Sequence, residues 1–468
     1  MKKITCVFAA LLCLMVVSTG AAREKRLLLD KRVVEKVDNG VLRLGQVEKH
    51  AANPLFGEEF EWEPRYDSMY PNVIWDEEEK IYKVWHFLYI QDEATSDVPP
   101  EKRKSSQYLV EVRKAMKRVG RGPRDGLGYA ISKDGINWTK PMMDVVPWKG
   151  KPSNLVMAPG HGIGVIKEPR ERDPARRYKM VCQMGWNAMG VAFSSDGIHW
   201  GSLIPTPEMD SAGDCHNNAL WSPALKKYVA FTRLWHDRQR IVGRSESEDF
   251  IHWAKAVEVH RGVDKHHQTY SMPVIRYAGV YIGMVASFQT QVDLMDTRLA
   301  WSPDTINWHR IEPDKALIPN GEKKGDYDWG IAHAGFPIIL DNEIRIYYGG
   351  GDACHNDWRK GYLCLATLRP DGFAGYEPLD ADRPAIVLST PRKIGQKLKI
   401  TADAQGGAVT VSVLDEDGNV LLKSEPVSGN VTNRTVAWQK GVSLKELAGK
   451  KARLRFEIER AKLYSFEM

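Results

Sequence analysis

Cysteine is scarce in this chain, with six among 468 residues. Cys6 and Cys13 lie in an N-terminal leader, which leaves Cys182, Cys215, Cys354 and Cys364, and their spacing fits no zinc motif. Four thiols scattered through a large chain read as small buried hydrophobes rather than a disulfide framework. Net charge is low as well. Lys and Arg number 66 against 60 Asp and Glu, a formal +6 that falls to about +4 without Lys2 and Lys3, so bulk charge makes no case for nucleic acid as a partner. Long apolar runs are missing after residue 22, which excludes a helical membrane span there. The run Val7 to Val17 is too short for one. With Lys2 and Lys3 before it and Ser18-Thr-Gly-Ala-Ala22 behind it, it reads as a secretory signal cut after Ala21 or Ala22. The expected location is secreted or periplasmic.

Aromatic rings with a polar handle are abundant, with 15 Trp and 17 Tyr, suited to packing between sheets and to stacking on sugars. Four of the tryptophans end a repeated motif. Ser132-Lys-Asp-Gly-Ile-Asn-Trp138 and Ser194-Ser-Asp-Gly-Ile-His-Trp200 are nearly identical. Ser247-Glu-Asp-Phe-Ile-His-Trp253 and Ser302-Pro-Asp-Thr-Ile-Asn-Trp308 keep the Ser, Asp, Ile and Trp, and Arg369-Pro-Asp-Gly-Phe373 is a degenerate fifth copy. Asp and Gly supply a turn. The Ile is expected to point into the sheet and the Trp to cap the gap to the next sheet.

Each copy follows two alternating runs. These are 70–75 with 81–85, 162–167 with 177–183, 217–221 with 227–233, 272–276 with 280–286, and 335–340 with 343–349. One copy would be an ordinary hairpin; five, at spacings of about 50–70 residues, mark a radial β-repeat with one four-stranded blade each. The expected fold is all-β. A signal (1–22) and a lead-in (23–60) precede a five-bladed β-propeller (61–390), and a small C-terminal β-sandwich (391–468) follows. Residues 97–125 interrupt the first blade with helical spacing and two basic clusters, Glu101-Lys-Arg-Lys104 and Arg113-Lys-Ala-Met-Lys-Arg118. The plain reading is a solvated charged face; the functional one is a basic lip for an anionic or sulfated polymer.

In a propeller the innermost strands converge on an axial funnel, so polar residues that precede each first strand are the candidates. They are Asp67, Tyr70 and Asn72 in the first repeat, and Asn154 and His161 in the second. The third offers Asp214, His216 and Asn217, the fourth His267, Gln268 and Tyr270, and the fifth Asp328 and His333. Arg233 and His355 follow second strands and can return to the same mouth. Cleavage of a glycosidic bond needs two carboxyl groups, one acid and one base or nucleophile, with a third charge to separate their pKa values. Asp214 and Asp328 are the expected pair and Asp67 the modulator. Asn72, His216, Asn217, Arg233, His267, Gln268, Tyr270, His333 and His355 are expected to hold the sugar. No metal and no cofactor is expected.

With these turns, blade openings and a trailing sandwich, the chain resembles the five-bladed propeller glycosidases of glycoside hydrolase families 32 and 43, in particular exported bacterial proteins with a family 32 N-terminal domain. Asn53-Pro-Leu, Trp75-Asp-Glu-Glu-Glu-Lys, Arg177-Tyr-Lys-Met180, Ala366-Thr-Leu-Arg-Pro-Asp-Gly-Phe373 and the terminal Leu-Tyr-Ser-Phe carry the likeness. Tyr70 stands where family 32 invertases have an aspartate nucleophile. Arg172-Asp-Pro174 reads as a hairpin loop rather than that family's second motif, and its Glu-Cys acid motif is absent. The resemblance implies an exported glycoside hydrolase acting on a poly- or oligosaccharide; the alternative is a carbohydrate-binding propeller without catalysis. Sugar, linkage and oligomeric state are left open.

Overall fold

The computed structural model describes residues 24–91, 124–185, 187–439 and 443–468. The leader, and the basic insertion up to residue 123, lie outside the described residues. What is described is all-β: strands joined by turns and short 3-10 segments, among them Pro174–Arg176, which turns the Arg172-Asp-Pro loop between two strands as expected.

Five antiparallel groups follow one another. The first consists of Asn72–Asp76, Ile81–Gln91 and Arg124–Ser132, with Leu155–Met157 and Trp138–Thr139 beside the third strand. The second is His161–Lys167, Tyr178–Gly185, Ala188–Ser194 and Ile204–Pro205. The third is Asn218–Ser222, Lys227–His236, Gln239–Ser247 and Val257–His260. In the fourth, His267–Ser271 and Val274–Tyr277 both pair with Val280–Gln289, followed by Leu294–Ser302 and His309–Arg310. The fifth is Ile331–Ile339, Ile344–Gly351 and Gly361–Leu368. Its outer edge is built from the N-terminal side of the chain, Glu48–Lys49 and Phe56–Gly57.

The innermost strands touch in a closed cycle. Asn72–Asp76 meets His161–Lys167, which meets Asn218–Ser222, then Val274–Tyr277, then Ile331–Ile339, which returns to Asn72–Asp76. Glycine permits the close approach: a Cβ on Gly164 would overlap the Asn217 backbone, and one on Gly335 the Pro71 carbonyl. Asparagines fasten neighbours together. Asn72 donates to the Ile163 carbonyl (3.0 Å) and accepts from Val165 N (3.0 Å); Asn218 does the same to Met272 and Val274. Apolar clusters fill the gaps between successive groups. The gap between the fifth and the first holds Tyr347, Leu363 and Leu365 against Val73, Val84 and Ala130.

The repeated turns form as expected. In each, the Asp carboxylate accepts from the backbone N–H two and three residues on, and the Ser hydroxyl accepts from the residue after the Asp. The buried position differs from the expectation. The Ile is at most partly buried, and Ile306 is 51% exposed. The residue after the Asp faces inward instead, at positive φ: Gly135 (77°), Gly197 (79°), Phe250 (70°) and Thr305 (73°). It meets the preceding group. Gly197 O accepts from Trp85 Nε1 (2.6 Å), Thr305 Oγ1 from Arg244 Nε (2.7 Å), and Gly135 O from Tyr347 Oη (2.9 Å). The last of these joins the first group to the fifth.

A second sheet holds Val34–Asp38, Ala385–Ser389, Lys451–Glu459, Lys399–Leu414, Lys462–Glu467, Ala374–Pro378 and Gly40–Leu44 in that order, with Lys25–Leu27 on Lys462–Glu467. It encloses its own core around Ile400, Val411, Leu454, Phe456 and Phe466. The lead-in is therefore divided between the two bodies. Strands at 374–378 and 385–389, assigned to the propeller region above, pair with the C-terminal sheet.

Candidate active site

Asp67 sits in the loop before the first innermost strand, with Asp67, Met69 and Tyr70 all at positive φ (55°, 59°, 45°). Non-glycine residues hold such angles only where the surroundings impose them, at about 1–3 kcal/mol each. Here Met69 N donates to Tyr66 O, and Phe87 N to Met69 O, so the loop is tied to the second strand. Asp67 Oδ1 accepts from Arg65 Nη2 (2.5 Å) and from Arg359 Nη2 (2.7 Å). Burial alone would raise this carboxyl, but the two guanidinium groups outweigh it and hold it far below the carboxylate range. Oδ2 bonds no described residue.

Asp214 stands in Gly213-Asp-Cys-His-Asn217, ahead of the third innermost strand. Its carboxylate takes His161 Nε2 on Oδ1 (3.0 Å) and Arg233 Nη1 on Oδ2 (3.1 Å), and its side chain is 43% exposed. Burial opposes ionisation; His161 and Arg233 overcome it and lower the pKa, while the charge on Asp67 works the other way. A chain of contacts links the two carboxylates: Arg359 on Asp67 also donates to His355 O, His355 meets the Tyr270 hydroxyl, and Tyr270 carries the Arg233 that holds Asp214. His161 also bonds Asp125 Oδ2 through Nδ1 (2.9 Å). Burial disfavours its charge, but the two carboxylates prevail and raise it to about 9, so the imidazolium persists at neutral pH.

Aromatic and imidazole rings wall the site. Tyr70 is buried and stacks on His216 (5.6 Å between centroids), with His333 edge-on at 5.3 Å. Tyr270 receives Arg233 over its face at 4.1 Å, and its hydroxyl meets His355 Nε2 at 3.1 Å. Burial, reinforced by Asp214 and Asp67, raises the Tyr70 phenol, so it stays neutral. Burial also lowers His216, His333 and His355, the last two to about 3, so these imidazoles are neutral and act through hydrogen bonds.

The structure brings together Asp67, Asp214, Arg233, Tyr270, His216, His333 and His355. It does not bring Asp328 to them. That carboxylate is buried toward the outer edge of the fifth group, on Lys49 Nζ (2.6 Å) and Tyr348 Oη (2.8 Å), and the expected pairing of Asp214 with Asp328 gives way to Asp214 with Asp67. Asn72 and Asn217 spend their amides on backbone of neighbouring strands and loops and are fasteners rather than sugar ligands. His267 bonds Asp264 and lines a separate crevice with His260 and Arg310. Gln268 accepts from Arg240 Nη1 (2.9 Å) at the edge of the site. Arg65, Arg359, Asp125 and Arg240 were not among the expected residues. Arg65 lies two residues from Asp67 and could have been found by proximity, whereas the Arg359 contact spans 292 positions and leaves no local trace.

Among the described residues, no group of three or more His, Cys, Asp or Glu side chains is placed to hold a metal ion. The four cysteines among the described residues are free, and burial pushes the Cys182 and Cys215 thiols up to about 12.

No family model and no curated protein matches the chain. Solved structures do resemble it. An N-acetylgalactosamine deacetylase from F. plautii, in complex with blood group B trisaccharide, is 12% identical over 71% of this chain and 96% of its own, with a TM-score of 0.45. A glycosyl hydrolase from Bacteroides ovatus is 14% identical over 69% and 93%, at 0.44. A structure from work on the GH130 family of mannoside phosphorylases, said to contain glycoside hydrolases that target β-1,2 mannosidic linkages, is 14% identical over 72% and 97%, also at 0.44.

Proposed function

We propose that the chain is an exported five-bladed propeller, trailed by a β-sandwich, that cleaves glycosidic bonds of a poly- or oligosaccharide in its central site. One observation carries this reading. Asp67 and Asp214, far apart in sequence, belong to one cluster of arginines, tyrosines and neutral histidines, with Asp67 Oδ2 unbonded among the described residues and the Asp214 side chain 43% exposed. The leader argues for export, and the cycle of innermost strands for five blades around an axis.

The geometry divides the labour. Asp67, permanently ionised, offers Oδ2 to a water or an anomeric carbon. The proton shared by His161 and Asp214 is available to the leaving oxygen. In hydrolysis the C–O bond breaks, the leaving oxygen takes the proton of the His161–Asp214 pair, and water adds to the anomeric carbon and returns a proton to that pair, while the ionised Asp67 stabilises the positive charge that develops at the anomeric carbon. Arg233 and Arg359 hold the two carboxylates in place. The competing reading, sugar binding without catalysis, has one observation in its favour: neither aspartate is held protonated. The charged His161 supplies the acid that the aspartates lack.

Screening the purified protein against plant and algal glycans tests the proposal. Asp67→Asn and Asp214→Asn are each expected to lower kcat by at least about a hundredfold, with circular dichroism unchanged. Full turnover in both variants, or binding without cleavage across the panel, would refute it.

A further inference from the structure

Charges around the site do not balance. Asp67 is met by two arginines, Arg65 and Arg359, and Asp214 by Arg233 and His161, with Asp125 on the far side of that histidine. Cations already exceed anions before Arg240 is counted, and Arg240 has no carboxylate partner among the described residues. It lies in the third strand of the third group, half-buried. Nη1 donates to Gln268 Oε1 at 2.9 Å, while Nε is buried with no acceptor. Its guanidinium is caged by Trp235 at 4.9 Å, Phe288 at 5.0 Å and Tyr270 at 5.5 Å, and Tyr270 is the ring that also carries Arg233.

A half-buried guanidinium beside a second one is unfavourable unless something answers its charge. Burial and the neighbouring Arg233 both work against it, lowering its pKa. Gln268 satisfies one N–H and no charge. Nε is shut away, so the unanswered part is the outer end of the guanidinium, Nη2 with the second N–H of Nη1, an edge that can meet two oxygens of one anionic group. Beside it Trp235, 42% exposed, presents a ring face on which a pyranose can stack.

We propose that the site takes a sugar bearing an anionic group, a uronate carboxylate or a sulfate ester, and that Arg240 receives that group. This rests on reading the site as a carbohydrate site, but not on catalysis. It is also independent of the basic stretch at 97–125.

Calorimetry with glucuronate, glucose 6-sulfate and glucose at fixed ionic strength, with inorganic sulfate alongside, tests it. The wild type is expected to bind one of the two anionic sugars at least about tenfold more tightly than glucose, and whichever leads identifies the group. Arg240→Gln should erase the preference, read as the ratio of the anionic-sugar affinity to the glucose affinity. Arg240→Lys, which keeps the charge but loses that edge, should retain a fraction of it and guards against a folding defect in the glutamine variant. Asp67→Asn and Asp214→Asn should keep the preference even where they abolish turnover, so failure of the catalytic reading is seen separately. Equal binding of the three sugars by the wild type, an undiminished preference in both Arg240 variants, or sulfate alone binding as tightly as the sulfated sugar would overturn the proposal.

Discussion

Asp67 and His161 occupy opposite charge states because their neighbours differ, although both are largely withdrawn from water. Two arginines secure the aspartate; two aspartates secure the histidine. The consequence is a pH profile. His161 loses its proton near pH 9, and with it goes the proposed acid, so kcat is expected to fall tenfold per pH unit above about 9. Stability follows the same group. Folded His161 titrates near 9 against an ordinary 6.5, so folding takes up a proton between those values. The stabilisation, on the order of 3 kcal/mol, is complete below 6.5 and lost as pH rises through 9. Asp214 runs the other way: its lowered pKa contributes stability above its unfolded value, and this is lost as acid titrates the folded carboxylate. Asp125→Asn removes one of the two anions holding His161 and should move the alkaline fall to lower pH. A pH-rate profile measured on both proteins checks this, and coincident alkaline limbs would remove His161 from the chemistry.

The elements show what was legible and what was not. Alternation and the Ser-x-Asp turn are local, so the hairpins at 72–91, 161–185, 218–236, 274–289 and 331–351 lie within a few residues of where the sequence puts them. The inward residue of the turn was misread because hydrophobicity pointed to the Ile, whereas backbone conformation decides: the residue after the Asp is forced to positive φ and against the preceding group. Thr305 and Phe250 obscure that rule, since neither favours positive φ, and Thr305 is held there by contact with Arg244. Arg359 was invisible because its partner is decided by ring closure rather than by any pattern. Gly197→Ala tests the turn. The added Cβ would stand 2.5 Å from Trp85 Cζ2, at φ 79°, in the gap between the first and second groups. A loss of about 2–4 kcal/mol in urea unfolding is expected from strain and overpacking together. An unchanged midpoint would mean that this gap is loosely packed.

At the scale of the whole molecule, residues 25–57 bind the two bodies into one. The segment gives three strands to the C-terminal sheet and two short ones to the open edge of the fifth group, which would otherwise present unpaired backbone. Lys49 marks where this edge strand is locked, since its ammonium reaches the buried Asp328 that Tyr348 also serves. Equivalent positions in a repeat do not guarantee equivalent roles. Asp214 and Asp328 both precede innermost strands, yet Asp328 faces the seam closed by the N-terminal strands and Asp214 the central site. Asp328→Asn is therefore expected to act on the fold and not on the chemistry. It leaves Lys49 without its counter-charge at a mostly covered position and should cost about 2–3 kcal/mol. Because both bodies share the segment that is loosened, the loss should appear as one earlier thermal transition rather than two. Turnover measured well below that transition should be unchanged. A variant that melts like the wild type but has lost kcat would return Asp328 to the site and break the division between seam and centre on which the assignment of Asp67 and Asp214 stands.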